Sequence, residues 1–149
     1  MIKIVKTLSS DLSTIIGFEK DSSTNKFIKS YHLVQHKEII SCKDKEHLSI
    51  FDFQNKLIGF IILSGLFSEN KIIEFKRIVL AEKGKGYGKL AISKIKKICF
   101  EKYKCNKLWL DVFEFNHRAI HIYKKHGFVI ENQESELIIM AILKSNYIS

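Results

Sequence analysis

Up to Leu80 the chain consists mainly of short apolar runs broken by polar turns; beyond it the hydrophobic positions take on helical spacing. Residues 2–8 have strand character, and Ser9-Ser10-Asp11 offers an N-cap for a helical stretch running towards Glu19. Residues 21–25 form a polar turn, and 26–41 read as one or two short helices of mixed polarity. The runs 47–53, 56–67 and 71–80 are strand-like and are joined by Gln54-Asn55 and Ser68-Glu69-Asn70, as in an antiparallel meander. From 85 to 101 the period changes. Gly88, Ala91, Ile92, Ile95, Ile98 and Cys99 recur on one helical face, with Lys89, Lys94, Lys96 and Lys97 largely opposite. Residues 107–113, containing Leu108-Trp109-Leu110, form a short apolar strand. Asn116 caps a further helix whose Ala119, Ile122 and Tyr123 share a face, and Gly127 stands where a C′ glycine ends it. Residues 128–132 and 137–143 close the chain as two strands around a polar loop. This order predicts an α/β fold with a mixed sheet, one domain over residues 1–149, with neither internal repeat nor linker.

Composition narrows the setting. Apolar residues make up 46% and charged residues 28%, the balance of a folded chain. No apolar stretch is long enough to cross a bilayer and the N-terminus lacks signal-peptide features, so no membrane partner is expected. Cys42, Cys99 and Cys105 are odd in number and have no zinc-type spacing, which suggests reduced thiols in a cytoplasmic protein. The net charge of +9 raises nucleic acid, a membrane surface or a phosphorylated cofactor as anionic partners. The lysines are scattered, Arg77 and Arg118 are the only arginines, and few aromatics sit among the cations to stack bases. A solvated basic surface, with part of its charge meeting a cofactor's phosphates, fits better than a nucleic-acid interface.

One segment carries candidate chemistry by its own pattern. Lys83-Gly84-Lys85-Gly86-Tyr87-Gly88-Lys89 follows a strand and opens a helix. Alternating glycines let backbone approach a ligand and aim successive N–H groups at one point, and a helix N-terminus adds favourable partial charge, which suits a phosphate or pyrophosphate. Lys83, Lys85 and Lys89 offer further cations. The spacing fits neither a P-loop, because Leu90 follows Gly88-Lys89, nor a dinucleotide fingerprint, because Lys89 stands where its third glycine belongs.

Lys83–Gly88 resembles the acetyl-coenzyme A pyrophosphate loop of GNAT acetyltransferases, usually written [QR]-x-x-G-x-[GA]. Downstream, Leu108-Trp109-Leu110-Asp111-Val112 followed by Asn116, Ala119, Ile120, Tyr123, Gly127 and Phe128 is similar to that superfamily's N-x-x-A-I-x-x-Y-x-x-x-G-F segment. The likeness runs from about Ile72 to Ile130. Within the superfamily, Glu74-Phe75 and Ala119-Ile120-His121-Ile122-Tyr123 are similar to spermidine and ribosomal-protein acetyltransferases. Lys83 departs from the usual Gln or Arg but still supplies a cation, and Leu80 replaces a common proline. The resemblance implies a V-shaped cleft between two parallel strands, 71–80 and 107–113. In it, backbone at Arg77, Ile78 and Val79 would pair with pantetheine and stabilise the oxyanion near Ile78. Gly84, Lys85, Gly86, Tyr87, Gly88 and Lys89 would hold the pyrophosphate, Asn116 and Ala119 would lie along the cofactor arm, and Tyr123 would sit beside the thioester sulfur. The implied reaction moves acetyl from acetyl-coenzyme A directly to a primary amine, on a small molecule such as a polyamine or on a protein N-terminus. A homodimer is common among such proteins.

The residues themselves support part of this. Asn116 and Tyr123 are two helical turns apart and face one groove. A tyrosine of ordinary pKa, about 10, is protonated at neutral pH and can donate to a departing thiolate. An ammonium substrate needs a base, for which Glu74 and Asp111 are the candidates and Glu114 a weaker third. His117 and His121, like His32 and His36, stand at i, i+4, but neither pair is completed by a carboxylate or cysteine; surface histidines and no metal are expected. A basic nucleic-acid-binding module and a fold that senses acetyl-coenzyme A without turnover are the alternative functions. The acceptor's determinants should lie in 11–41 and 135–137. A net positive protein is a poor electrostatic match for a polyamine, unless acidic residues such as Glu19, Asp21, Glu74 and Glu134 cluster at the mouth.

Overall fold

The computed structural model describes residues 1–148. Strands β1 (Ile2–Lys6), β2 (Lys45–Asp52), β3 (Leu57–Ser64), β4 (Ile72–Leu80), β5 (Lys107–Phe113), β6 (Val129–Glu134) and β7 (Leu137–Leu143) form one sheet in the order β1-β2-β3-β4-β5-β7-β6. Every neighbouring pair is antiparallel except β4 and β5, which run parallel and divide the sheet into two antiparallel halves. The mixed α/β architecture expected from the element order is the one found.

Helices α1 (Leu12–Lys20) and α2 (Leu33–Ser41) cover one face over β2, β3 and β4, burying Leu12, Ile15 and Ile39 against Phe60, Ile62 and Val79. Helix α3 (Tyr87–Lys97) lies on the other face, where Ala91, Ile92 and Ile95 pack on Ile73, Phe75, Leu108 and Leu110. Helix α4 (His117–Lys125) joins this second core through Ala119, Ile120, Ile122 and Tyr123, all half-buried. Each helix buries apolar side chains against the sheet, although α1 also buries Glu19 and α2 buries His36 while leaving Leu33 and Val34 exposed. The removal of the apolar side chains from water is the main favourable term in holding the layers together.

Several boundaries differ from expectation, β3 for instance ending at Ser64 and not at Phe67. Only Leu33–Ser41 of the 26–41 stretch is helical: the turn that starts at Asp21 continues to Phe27, whose backbone N–H donates to the carbonyl of Thr24, and the helix begins after His32, whose backbone N–H donates to Gln35 Oε1 at 2.7 Å. The helix after the glycine loop begins at Tyr87 and finishes in a π-type turn, Ile98–Lys102, which lets Cys99 and Phe100 both reach the core. The closing hairpin is tighter than a polar loop would be, since β6 runs to Glu134 and Ser135 turns the chain in left-handed conformation (φ 56°).

A bulge in β4 has consequences for the site. Ile62 pairs with Arg77 and Leu63 with Phe75, so Lys76 is an extra residue on β4. Phe75 and Val79 would share a face in a regular strand; here Phe75 lies in the α3 core and Val79 in the α1–α2 core. The same half-step turns Arg77 towards α1.

Candidate active site

The β4–β5 ladder is short. It pairs Ile72 with Lys107, Ile73 with Leu108 and Glu74 with Trp109, and ends there. Beyond this point the strands diverge, and from Phe75 to Leu80 the side of β4 towards β5 has no strand partner. Among the described residues this fork is the one parallel junction of the sheet, and it opens at the carboxyl ends of β4 and β5, where open α/β sheets commonly place ligands. Backbone at Arg77, Ile78 and Val79 lies along it. The side chains of Arg77 and Val79 are committed elsewhere, Val79 to the α1–α2 core and Arg77 to Glu19, so only their backbone can serve a ligand in the fork.

At the open end of β4 the chain enters the glycine loop. Gly84 (φ 81°) and Gly86 (φ 80°) are both left-handed, and Gly86 is the N-cap of α3. A side chain at Gly86 would project into open space, so the requirement for glycine there comes from conformation and not from crowding. The first N–H groups of α3, from Tyr87, Gly88 and Lys89, have no intrahelical acceptor and emerge at this end, a donor set that fits a pyrophosphate. The lysines do not all converge. Lys83 Nζ is drawn back to the carbonyl of Leu80 (2.8 Å) and to Thr24 Oγ1 (3.1 Å), and Lys85 pairs with Glu82 at 2.9 Å, while Lys89 is exposed. Burial lowers the pKa of Lys83, Asp21 opposing this and the charge of Arg118 adding to it.

Arg118 is the cation missed in the sequence. Its guanidinium lies 3.6 Å from where a Cβ on Gly84 would stand, although the two residues belong to different motifs. Its place in the first turn of α4 was visible; that this turn faces the glycine loop depends on packing.

Helix α4 borders the fork on the α3 side. Asn116 caps it, accepting the backbone N–H of Ala119 through Oδ1 at 3.4 Å. Two turns on, the ring of Tyr123 sits between Phe75 of β4 (6.3 Å) and Phe128 (5.7 Å), edge-on to both. Burial pushes its hydroxyl pKa up to about 12, and the negative charge of Asp111 adds to the shift. Asp111 is exposed on β5, whose Leu108, Leu110 and Val112 enter the core while Trp109, Asp111 and Phe113 project to the opposite face. Glu74, half-buried at the apex of the fork, has its pKa raised chiefly by burial; Asp111 adds to this, whereas Lys76 and Lys45 oppose it. The fold therefore brings Asp111 within electrostatic reach of both Glu74 and Tyr123. Glu114 is occupied in the closing hairpin, where it accepts from Gln133 Nε2.

Two expectations need correction. Glu19 is not at a mouth: it is fully buried, paired with Arg77 and with His36 Nε2 (2.6 Å). His36 is likewise not a surface histidine. It is fully buried, with Nδ1 3.0 Å from Nε2 of the buried His47, whose Nδ1 meets Thr7 Oγ1 at 2.8 Å and leads on to Ser49. The reason is the bulge: once Arg77 faces α1, its charge needs a buried carboxylate, and that carboxylate needs a donor. His32, His117 and His121 are exposed. Among the described residues no group of three or more His, Cys, Asp or Glu side chains is arranged to hold a metal ion, and no helix is long and apolar enough to cross a membrane.

Residues 16–128 match the Acetyltransferase (GNAT) family. A Spermine/spermidine N(1)-acetyltransferase of Bacillus subtilis (strain 168) is 33% identical over 84 residues, 51% of this chain; the match spans only 55% of that enzyme's length. Acetyltransferase PseH of Campylobacter jejuni is 24% identical over 144 residues, 93% of this chain and 89% of that protein. In fold, the chain superposes on spermidine N-acetyltransferase from Vibrio cholerae, solved in complex with CoA and spermine, with a TM-score of 0.85 at 22% identity, covering 97% of this chain and 96% of that one.

Proposed function

Because the chain belongs to the Acetyltransferase (GNAT) family, we propose that it transfers the acetyl group of acetyl-coenzyme A to a primary amine, residues 1–149 acting as one catalytic domain. The observation that carries this is the fork: the β4–β5 ladder stops at Glu74, the glycine loop follows the free end of β4, and Asp111 of β5 acts electrostatically on both Glu74 and Tyr123.

Each residue then has a task. The N-terminal amides of α3, with Arg118 and Lys89, bind the pyrophosphate, and Gly84 and Gly86 give the loop the conformation that exposes those donors. The cofactor supplies an activated acetyl thioester. Backbone N–H groups on the open side of β4 around Ile78 face the carbonyl oxygen as it gains charge. Asp111, exposed beside the fork, holds the incoming ammonium. Glu74 takes its proton directly or through a water, a role that its raised pKa suits. Tyr123 donates a hydrogen bond to the sulfur as the C–S bond breaks. With a pKa of about 12, full transfer to a thiolate of ordinary range, about 8.5, is uphill, so Tyr123 would stabilise the leaving sulfur by hydrogen bonding. The proton that coenzyme A finally carries would be one released by the amine nitrogen and relayed through Glu74 or water. Much of the acceleration comes from holding amine and thioester together. The cysteines, all free thiols, suit a cytoplasmic setting.

The test is release of coenzyme A thiol from acetyl-coenzyme A across a panel of primary amines, including polyamines. Turnover with any of them supports the reading. Tight acetyl-coenzyme A binding with no turnover on the panel would instead favour a sensor.

A further inference from the structure

On β5 the alternation that buries Leu108, Leu110 and Val112 places Trp109, Asp111 and Phe113 side by side on the other face. The carboxylate assigned to the ammonium is therefore flanked, two residues away on each side, by an aromatic ring. The aromatic surface continues. Phe113 stacks on Phe115 with ring centroids 5.0 Å apart and planes 14° from parallel. Phe115 in turn meets Phe27, from the segment between α1 and α2, at 5.9 Å and 27°. Phe115 remains 47% exposed. Apolar rings left in water beside a ligand-binding carboxylate mark a recognition surface more often than a packing accident.

We infer that this stack is an acceptor subsite selecting a small primary amine that carries an aromatic ring, with the ammonium at Asp111 and the ring against Phe113 and Phe115. The inference rests on the acetyl-transfer reading and names its acceptor class. Successive same-face positions on a strand are about 7 Å apart, so the spacing calls for a short linker, an arylethylamine being the simplest fit. A linear polyamine uses the carboxylate and gains from the rings only a cation–π contact, not the stacking and apolar burial that an aryl group gains, and its remaining ammonium groups meet a protein of net charge +9. Phe27 also ties the irregular segment between α1 and α2 to the loop before α4, so that the subsite is assembled from two parts of the chain remote in sequence.

The experiment measures kcat and KM for tyramine, phenethylamine, propylamine and spermidine with the wild-type chain and with Phe115→Ala and Phe115→Leu. The wild type should prefer the two arylethylamines over propylamine and spermidine. Phe115→Ala should raise KM for the arylethylamines about 10-fold, the worth of one aromatic pair, with kcat nearly unchanged and no effect on propylamine. Phe115→Leu, which keeps bulk but removes the ring, should show most of the same loss while retaining acetyl-coenzyme A affinity and thermal stability. Preference for spermidine, or equal losses for all four amines, overturns the subsite and leaves acetyl transfer standing. No turnover with any amine overturns both.

Discussion

Arg77 of β4 and Glu19 of α1 form an ion pair in which the carboxylate is fully buried and the guanidinium side chain nearly so. The ring of Tyr31 lies under that guanidinium at 3.9 Å. Glu19 also accepts from His36, so one buried carboxylate holds two helices to the strand that borders the fork. The pair exists because Lys76 is an extra residue; in a regular strand Arg77 would share the face of Phe75.

Glu19→Gln should therefore destabilise strongly. It leaves an unpaired cation in a buried place, for which a loss of about 3–5 kcal/mol is usual. Urea unfolding reads the loss, and a change below about 1 kcal/mol would mean that water reaches Arg77.

The histidines predict an acid dependence. Burial, reinforced by His36 and opposed by Glu19, lowers the pKa of His47 from an ordinary 6.5 to about 4. Folded, it stays neutral until about pH 4; unfolded, it takes up a proton near 6.5. The unfolded chain therefore binds more protons below that pH. His47's contribution is complete above about 6.5 and is lost as pH falls towards 4, by on the order of 3 kcal/mol in all. Denaturant midpoints at pH 7.5 and pH 5 for the wild type and His47→Gln separate this slope from that of the carboxylates: the variant, though less stable, should lose less on acidification.

Acetyl-coenzyme A should stabilise the fold by about 2.7 kcal/mol at 100 times its dissociation constant. Gly86→Val should abolish that ligand-dependent gain. A β-branched residue resists a φ of 80°, so the loop shifts and its donors with it. Melting curves with and without ligand check this, and an undiminished shift in the variant would remove the loop from the cofactor site.

If Glu74 removes the proton, kcat/KM should have an acid limb above the ordinary glutamate range of about 4.3, because burial raises its pKa. Glu74→Gln should lower the rate most at neutral pH and recover partly as the free-amine fraction grows. Asp111→Asn should instead raise KM for the amine. An unaltered pH profile in Glu74→Gln would exclude that residue as the base.

Tyr123→Phe keeps the ring between Phe75 and Phe128 and removes only the hydroxyl. Acetyl-coenzyme A should bind as before while single-turnover acetylation falls roughly 10²-fold. With a pKa of about 12, the wild-type hydroxyl should cause no alkaline loss of activity below about pH 11. A variant transferring acetyl at the wild-type rate would leave Tyr123 as a packing residue.

Most elements were legible because each shows its period locally: the meander through short apolar runs and turns, α3 through Ala91, Ile92 and Ile95, and α4 through Asn116 and a C′ glycine at Gly127 (φ 95°). The glycine loop was legible for the same reason, since left-handed turns and helix starts are made by adjacent residues. The family motifs were legible because they are contiguous.

What only the tertiary structure decided concerns residues distant along the chain. A single extra residue at Lys76 reverses every side chain after it, and nothing in the residue type announces a bulge. Hence Glu19 and His36, which read as surface groups, became the buried partners of Arg77 and His47. Arg118 reached Gly84, and Phe27 reached Phe115, because helix packing and strand divergence brought them there. The sequence by itself determined the elements and the motifs, since local periodicity and turn chemistry act over a few residues. Which side chains meet across elements was decided by the register of β4 and by the need of each buried charge for a partner.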